Sequence, residues 1–363
     1  MDERQSTLIS AMRFPLIVLV VFAHSAGSFE SQTIAWSLDG WNVFHFFSEW
    51  LCRHVCSVGT CWFFVISGFF FFMHADPSGF RWIPLKWKKR IRSLLVPYLI
   101  WNALAVLAVF LVAQLFSMTG IQHHNTEWEF LRNGGPWYWF VSGPADFPLW
   151  FVRDLMVMIL LAPLLLMLFR RIPFVSLIAL SVFYLCYPFD LPFVSMRGCY
   201  FFSVGAWFCI QGKSLFAFCR RWETGSWIVA PLLAVIATCR TGYADHYVWL
   251  RLFYPFGMVF FMNLCRRMTE GRPEREKRLI KLSASVFFIY AAHEILILGW
   301  TKGLFIRLFG DGLAGSWIRL LLAPVVVILI CLLLYNLLNR CMPRVLAFCT
   351  GGRTSVGQTQ KKP

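Results

Sequence analysis

Apolar residues in this chain come in long unbroken runs, not in alternation with polar ones. Ten runs stand out, at roughly residues 8–29, 54–74, 93–117, 149–169, 172–189, 194–212, 226–241, 247–265, 282–301 and 317–341. Most approach the about 20 residues a helix needs to cross a hydrocarbon layer ~30 Å thick. Because the runs are continuous, they predict spanning helices and not barrel strands, which would show period-two alternation. The expected fold class is therefore an all-α polytopic membrane protein with about ten transmembrane helices. The fifth to eighth runs are short or interrupted.

The polar positions between the runs alternate in sign. Residues 75–92 carry Arg81, Lys86, Lys88, Lys89, Arg90 and Arg92, and residues 266–281, "RRMTEGRPEREKRLIK", form the most basic segment. Arg170, Arg171, Lys213, Arg220 and Arg221 mark further basic connections, while residues 30–49 contain Glu30, Asp39 and Glu49 with no Lys or Arg. Positive charge gathers in cytoplasmic loops, so the alternation predicts that both termini are cytoplasmic. Residues 1–345 read as one membrane domain. Residues 346–363, rich in Gly, Thr, Gln and Lys, read as a disordered cytoplasmic tail.

Composition supports this picture and excludes others. The 363 residues are 58% hydrophobic and only 14% charged, against about one quarter charged in soluble domains. The formal net charge of +16 suggests a nucleic-acid partner, but the topology-setting loops account for most of it. No nucleic acid is expected; the bilayer is. The twelve cysteines lie almost entirely within apolar runs, without a CxxC pair, and read as packing residues. The first ten residues, "MDERQSTLIS", lack the basic start of a secretory signal, so the first run is expected to be retained.

Two ionisable residues break the first run, "RFPLIVLVVFAH": Arg13 and His24. On a helix, eleven positions amount to about three turns plus 20°, so both face one way, ~16 Å apart along the axis. Arg13 falls near the cytoplasmic end. His24 falls past the bilayer midplane, where an ionisable side chain points to a functional cavity. A cation at the cytosolic face and a base some 16 Å further on suit a long donor with an anionic head and a reactive tail, such as coenzyme A with its phosphates and thioester.

Further stretches carry a family resemblance. The Arg-x10-His pattern in a first membrane helix resembles the acyltransferase-3 family of integral membrane acyltransferases. "CWFFVISGFFFF" (61–72) is similar to its second-helix segment, "KKRIRSLLVPYL" (88–99) to its basic patch and proline, "PLWFVRDLMVMILLAPLL" (148–165) to its LWFL segment, and "FFIYAAHEILIL" (287–298) to its late Tyr-x-x-His helix. The motifs occur in the family's order from residue 13 to about 298. The resemblance implies transfer of an acyl group, usually acetyl, from cytosolic acyl-CoA to a hydroxyl of an extracytoplasmic acceptor, commonly a surface carbohydrate or lipid-linked glycan. It implies a bacterial inner-membrane location. It also casts His24 as the essential histidine, acting as general base or transient acyl carrier, with Arg13 as its paired arginine. Arg13, Lys89, Arg90 and Arg92 would hold the donor phosphates, although the family's Arg-x-x-Arg appears here only as Lys89-x-x-Arg92 and Arg90-x-Arg92.

Other ionisable residues in or near membrane runs complete the candidates. His293 and Glu294 fall inside the ninth run, where Glu294 needs a partner and could orient His24 or bind substrate. Trp150, Arg153, Asp154 and Arg197 lie toward the outer face and are candidate acceptor contacts; Arg153 and Asp154 read equally as a local charge pair. The loop "GGPWYWF" could stack on sugar rings or belong to an interfacial aromatic belt. No metal site is expected: His123 and His124 are adjacent, and no Cys or carboxylate cluster completes a zinc set. The alternative reading is a transporter or flippase of a lipid-linked or acyl substrate without catalysis. The acceptor and the acyl group are open.

Overall fold

The computed structural model describes residues 3–26, 32–35, 37–73, 79–119, 126–187, 189–190 and 193–353. Those residues are helical nearly throughout. In chain order the helices are α1 (Glu3–Ala23), α2 (Gly40–Ser48), α3 (Val58–Phe72), α4 (Trp82–Arg90), α5 (Val96–Thr119), α6 (Thr126–Trp137), α7 (Trp150–Leu160), α8 (Ala162–Arg171) and α9 (Pro173–Cys186). They continue as α10 (Met196–Ile210), α11 (Leu215–Arg221), α12 (Glu223–Cys239), α13 (His246–Thr269), α14 (Pro273–Leu282), α15 (Val286–Ala292), α16 (Gly299–Phe309), α17 (Leu313–Cys341) and α18 (Pro343–Cys349). Wider, π-type turns at Glu49–Val55, Ile91–Leu95, Tyr138–Ser142 and His293–Leu298 follow or join them.

The protein is an all-α polytopic membrane protein. By length and composition six helices can cross a membrane, or eight when the two bent pairs, Trp128–Leu160 with Ala162–Arg171 and Met196–Ile210 with Leu215–Arg221, each count as one span. The fifth and seventh of the ten expected runs fold as the shorter apolar helices Pro173–Cys186 and Glu223–Cys239. The sixth bends by 107° beyond Ile210. The expected number of about ten is thus reached only if these short helices also cross.

The first helix runs through the middle of the bundle. Its stripe of Ile9, Met12, Leu16, Ile17 and Val21 is fully buried, at the three- and four-residue spacing of one helix face. That face meets α3, α13, α14, α15 and α17. Large apolar side chains such as Leu111, Leu115, Ile178, Leu329 and Leu333 stay exposed on outer helices, as expected where the surrounding solvent is lipid. All twelve cysteines are free thiols.

The closest helix pairing is α3 with α10. A Cβ built on Gly68 would overlap the Phe202 carbonyl oxygen, and one on Gly205 would overlap the Val65 carbonyl oxygen. Each glycine therefore lets the other helix's backbone approach, the device by which small residues pack helices in membranes.

Two expectations change. The first helix ends at Ala23 instead of reaching residue 29, so His24 sits in the turn just beyond it, its N–H still donating to the Val20 carbonyl at 3.2 Å. Pro15 lies well inside α1, which already begins at Glu3. Residues 346–353 of the expected disordered tail are folded: α18 carries the chain to Cys349, whose carbonyl accepts a hydrogen bond from Trp101 Nε1 at 2.9 Å. The chain then turns at Gly351, φ +63°, against the Ser93 backbone. Residues 354–363 and His123–His124 lie outside the described residues.

Candidate active site

The late helix that begins at Val286 does not run straight. Ile295 (ψ 97°) and Leu296 (φ 60°) leave helical geometry between α15 and α16. Leu296 is a branched residue in the left-handed region, a costly conformation that persists only where surrounding structure enforces it. The break follows directly after His293 and Glu294, and it places Glu294 against the end of α1. Glu294 Oε2 is 2.9 Å from His24 Nδ1.

Tautomers follow from this geometry. With a carboxylate as its partner, His24 Nδ1 carries the proton and donates it, which leaves the Nε2 lone pair available. His293 Nδ1 donates to the carbonyls of Ile289 (3.0 Å) and Tyr290 (2.9 Å). Its Nε2 is then also a bare acceptor, buried without a hydrogen-bond partner among the described residues and 3.7 Å from Glu294 Oε2. The His293 ring meets His24 edge-on at 5.0 Å between centroids, and Phe147 flanks His24 on another side at 5.7 Å. Lys302 Nζ donates to the His24 carbonyl at 2.9 Å, closing the end of α1. His24, His293 and Glu294 offer three ligand atoms within 4.8 Å of one another, so they could hold a divalent ion. No cysteine joins them.

A second polar site lies toward the other end of α1. Arg13 extends over the Phe70 ring at 5.8 Å, and the Arg353 guanidinium stacks 4.5 Å from the Phe287 centroid. Arg13, Arg90 and Arg353 are close enough for their charges to act on one another: burial first, then the Arg90 and Arg13 charges, push the Arg353 guanidinium down to about 10. Arg353 Nη1 is buried without a hydrogen-bond partner among the described residues. Among the described residues neither Arg13 nor Arg90 forms a hydrogen bond or ion pair. Like charges gathered without an acid are unfavourable unless an anion joins them. The arrangement is suited to a phosphate-bearing ligand.

The helical distance between the two sites is that of eleven residues of α1, about 16 Å. A family model described as "Acyltransferase domain", acyltransferase-3, matches residues 8–336. The chain belongs to the acyltransferase-3 family. This acyltransferase is also 28% identical over 382 residues to the succinoglycan biosynthesis protein ExoH of Rhizobium meliloti (strain 1021), covering 100% of this chain and 96% of that relative. No solved structure matches significantly. The family makes the chain an integral membrane enzyme, which leaves transport without chemistry as the weaker alternative.

Other candidate residues of the acyltransferase fall into different surroundings. Of the basic patch, Arg90 turns inward beside Arg353, while Lys89 and Arg92 are exposed. Lys86, not singled out from the sequence, donates to the carbonyls of Phe71 and Met73 and closes the end of α3. Arg153 donates to Asp154 Oδ1 at 3.0 Å and to the carbonyls of Val141 and Ser142. Asp154 Oδ2 in turn accepts from the Ser195 N–H at 2.7 Å. These bonds join α7 to its neighbouring loops, so the pair acts as an internal brace. Arg197 lies over the rings of Trp150 (5.9 Å) and Tyr254 (5.3 Å), and Trp150 packs on Phe64, in the same aromatic layer.

A cavity of about 1030 Å³ opens beside the histidine centre of the acyltransferase, between α5, the Tyr138–Phe147 segment and α16. Glu294 and Asp146 line it together with apolar side chains such as Val112, Phe116, Trp300 and Leu304. Lys302, Arg353 and Asp146 were missed by sequence reasoning. Lys302 has a visible signal, a lone cation eight positions beyond Glu294 in an apolar run. Arg353 has none, since it looks like any tail residue until α18 docks on α5.

Proposed function

We propose that this enzyme transfers an acyl group, acetyl or a close relative, from cytosolic acyl-CoA to a hydroxyl of an extracytoplasmic glycan, in the bacterial inner membrane with both termini cytoplasmic. The observation that carries the reading is the His24–Glu294 hydrogen bond of 2.9 Å at one end of α1, with the acid-free cluster of Arg13, Arg90 and Arg353 toward the other. The donor phosphates sit among the arginines. The pantetheine arm then follows α1 over ~16 Å, and the thioester reaches His24.

At the centre, His24 Nε2 removes the proton of the acceptor hydroxyl as its oxygen attacks the thioester carbonyl. The C–O bond forms and the C–S bond breaks. The sulfur leaves as the thiol, taking back the proton held by the imidazolium. Glu294 holds the ring in the tautomer that can do this and stabilises its transient positive charge. The Rhizobium relative is a succinoglycan biosynthesis protein, and this supports a surface polysaccharide or its lipid-linked precursor as acceptor.

The test is transfer of label from [14C]acetyl-CoA to surface polysaccharide in membranes, with His24→Ala and His24→Gln as controls. Full loss in both, at normal expression, is the expected result. Transfer retained in either variant removes His24 from the mechanism.

A further inference from the structure

Asp146 is the group that the reaction above leaves unused. It is 2% exposed, and neither carboxylate oxygen has a hydrogen-bond partner among the described residues. Its backbone is held in place: the Asp146 N–H donates to Asn102 Oδ1 at 3.2 Å, and Asn102, itself fully buried, is anchored through Nδ2 to the Tyr98 carbonyl at 2.8 Å. The next residue, Phe147, flanks the His24 ring. A carboxyl positioned with that much support yet given no partner is costly, because a buried polar group without a hydrogen bond loses its hydration for nothing in return.

Asp146 and Glu294 are both among the residues lining one cavity of about 1030 Å³, whose remaining wall is largely apolar. A chamber with an apolar lining and a few convergent polar groups is the usual form of a small-molecule site. Arg307, two turns along α16 from Gly299, is the basic residue among those lining it, while Lys302, bonded to the His24 carbonyl, acts on Glu294 without lining it. The two carboxyls suit a ligand rich in hydroxyls and disfavour an anion there.

We propose that this cavity is the acceptor chamber of the enzyme and that Asp146 is an acceptor-positioning residue, hydrogen-bonded to one hydroxyl of a sugar ring while a second hydroxyl of the same acceptor is presented to His24. The assignment rests on the acyl-transfer reading given above. Two hydroxyls held at once fix the ring's orientation, which is how a site converts binding into a productive attack geometry. It also gives the chamber a basis for selecting among acceptors, since a site built around a substrate hydroxyl rejects analogues that lack it.

The experiment uses the full chain in lipid vesicles with [14C]acetyl-CoA as donor. Base-de-esterified surface polysaccharide from the expression host serves as acceptor. Asp146→Asn is expected to raise the acceptor KM at least about 10-fold while the donor KM moves less than about 2-fold. Asp146→Glu is expected to recover part of that loss. An unchanged acceptor KM, or donor and acceptor KM rising together, overturns the assignment. So does an Asp146→Asn protein that no longer elutes as a single folded species, because the carboxyl is then structural. Wild-type protein that labels no polysaccharide overturns the acyl-transfer reading itself, whereas an active wild type with a normal Asp146→Asn variant overturns the positioning role alone.

Discussion

Glu294 Oε2 lies 2.9 Å from His24 Nδ1, although the two residues are 270 positions apart in the chain. Replacing the carboxylate by an amide keeps the shape and removes the charge that selects the tautomer. Glu294→Gln is therefore expected to lower the transfer rate about 100- to 1000-fold, near the range of general-base contributions. The double variant His24→Ala/Glu294→Gln should be no slower than His24→Ala alone, because the two groups act as a unit. Labelled acetyl transfer in membranes measures both. Additive losses would separate Glu294 from the histidine.

The arginine cluster predicts an opposition between stability and binding. Burial and the neighbouring Arg90 and Arg13 charges push Arg353 in the folded protein down to about 10, below its ordinary value. A cation whose folded value is depressed destabilises the fold at every pH below that value. At neutral pH the full penalty is present. Arg353→Ala should therefore raise the melting temperature of the ligand-free protein and weaken CoA binding about 10-fold or more. Thermal shift with and without CoA reads both signs in one experiment. Lower stability together with unchanged CoA affinity would show that Arg353 serves packing against Phe287 alone.

Lys302 ties α16 to the end of α1 through the His24 carbonyl. Lys302→Met retains the stem and loses the bond, so the turn holding His24 loosens. A fall of about 10-fold in turnover is expected, with a stability loss of about 1–3 kcal/mol from the freed buried carbonyl. Rate and melting temperature should fall together. A normal rate with a lowered melting temperature would confine Lys302 to folding.

The α3–α10 contact has no room for a methyl group at either glycine. Gly68→Ala and Gly205→Ala each force backbone against side chain, and a cost of about 3 kcal/mol or more is expected. Size-exclusion of the detergent-extracted protein should show aggregated material for both variants. Gly225→Ala, where a Cβ would meet nothing within 4 Å, should elute normally.

The sequence alone determined the class of this protein and named the candidates for its centre. Lipid demands continuous apolar helices with internally satisfied backbones, so the spans are legible from runs of residues such as 93–117. A charge inside such a run is conspicuous for the same reason, which is why Arg13, His24, His293 and Glu294 could be named without coordinates. The regular rise of a helix even sets the spacing of Arg13 and His24. Only the tertiary structure decided which charges meet. Sequence spacing carries no information about a carboxylate 270 residues away, nor about a break at Ile295–Leu296 that turns it toward His24. It could not separate Arg90, which turns inward, from Lys89 and Arg92, which stay exposed, because all three share one basic stretch. Arg353 and Asp146 lie in segments whose local composition reads as tail and loop. Their roles arise from what packs around them, α18 docking on α5 for one and the Asn102 anchor for the other, and burial by distant parts of the chain is not a local property of sequence.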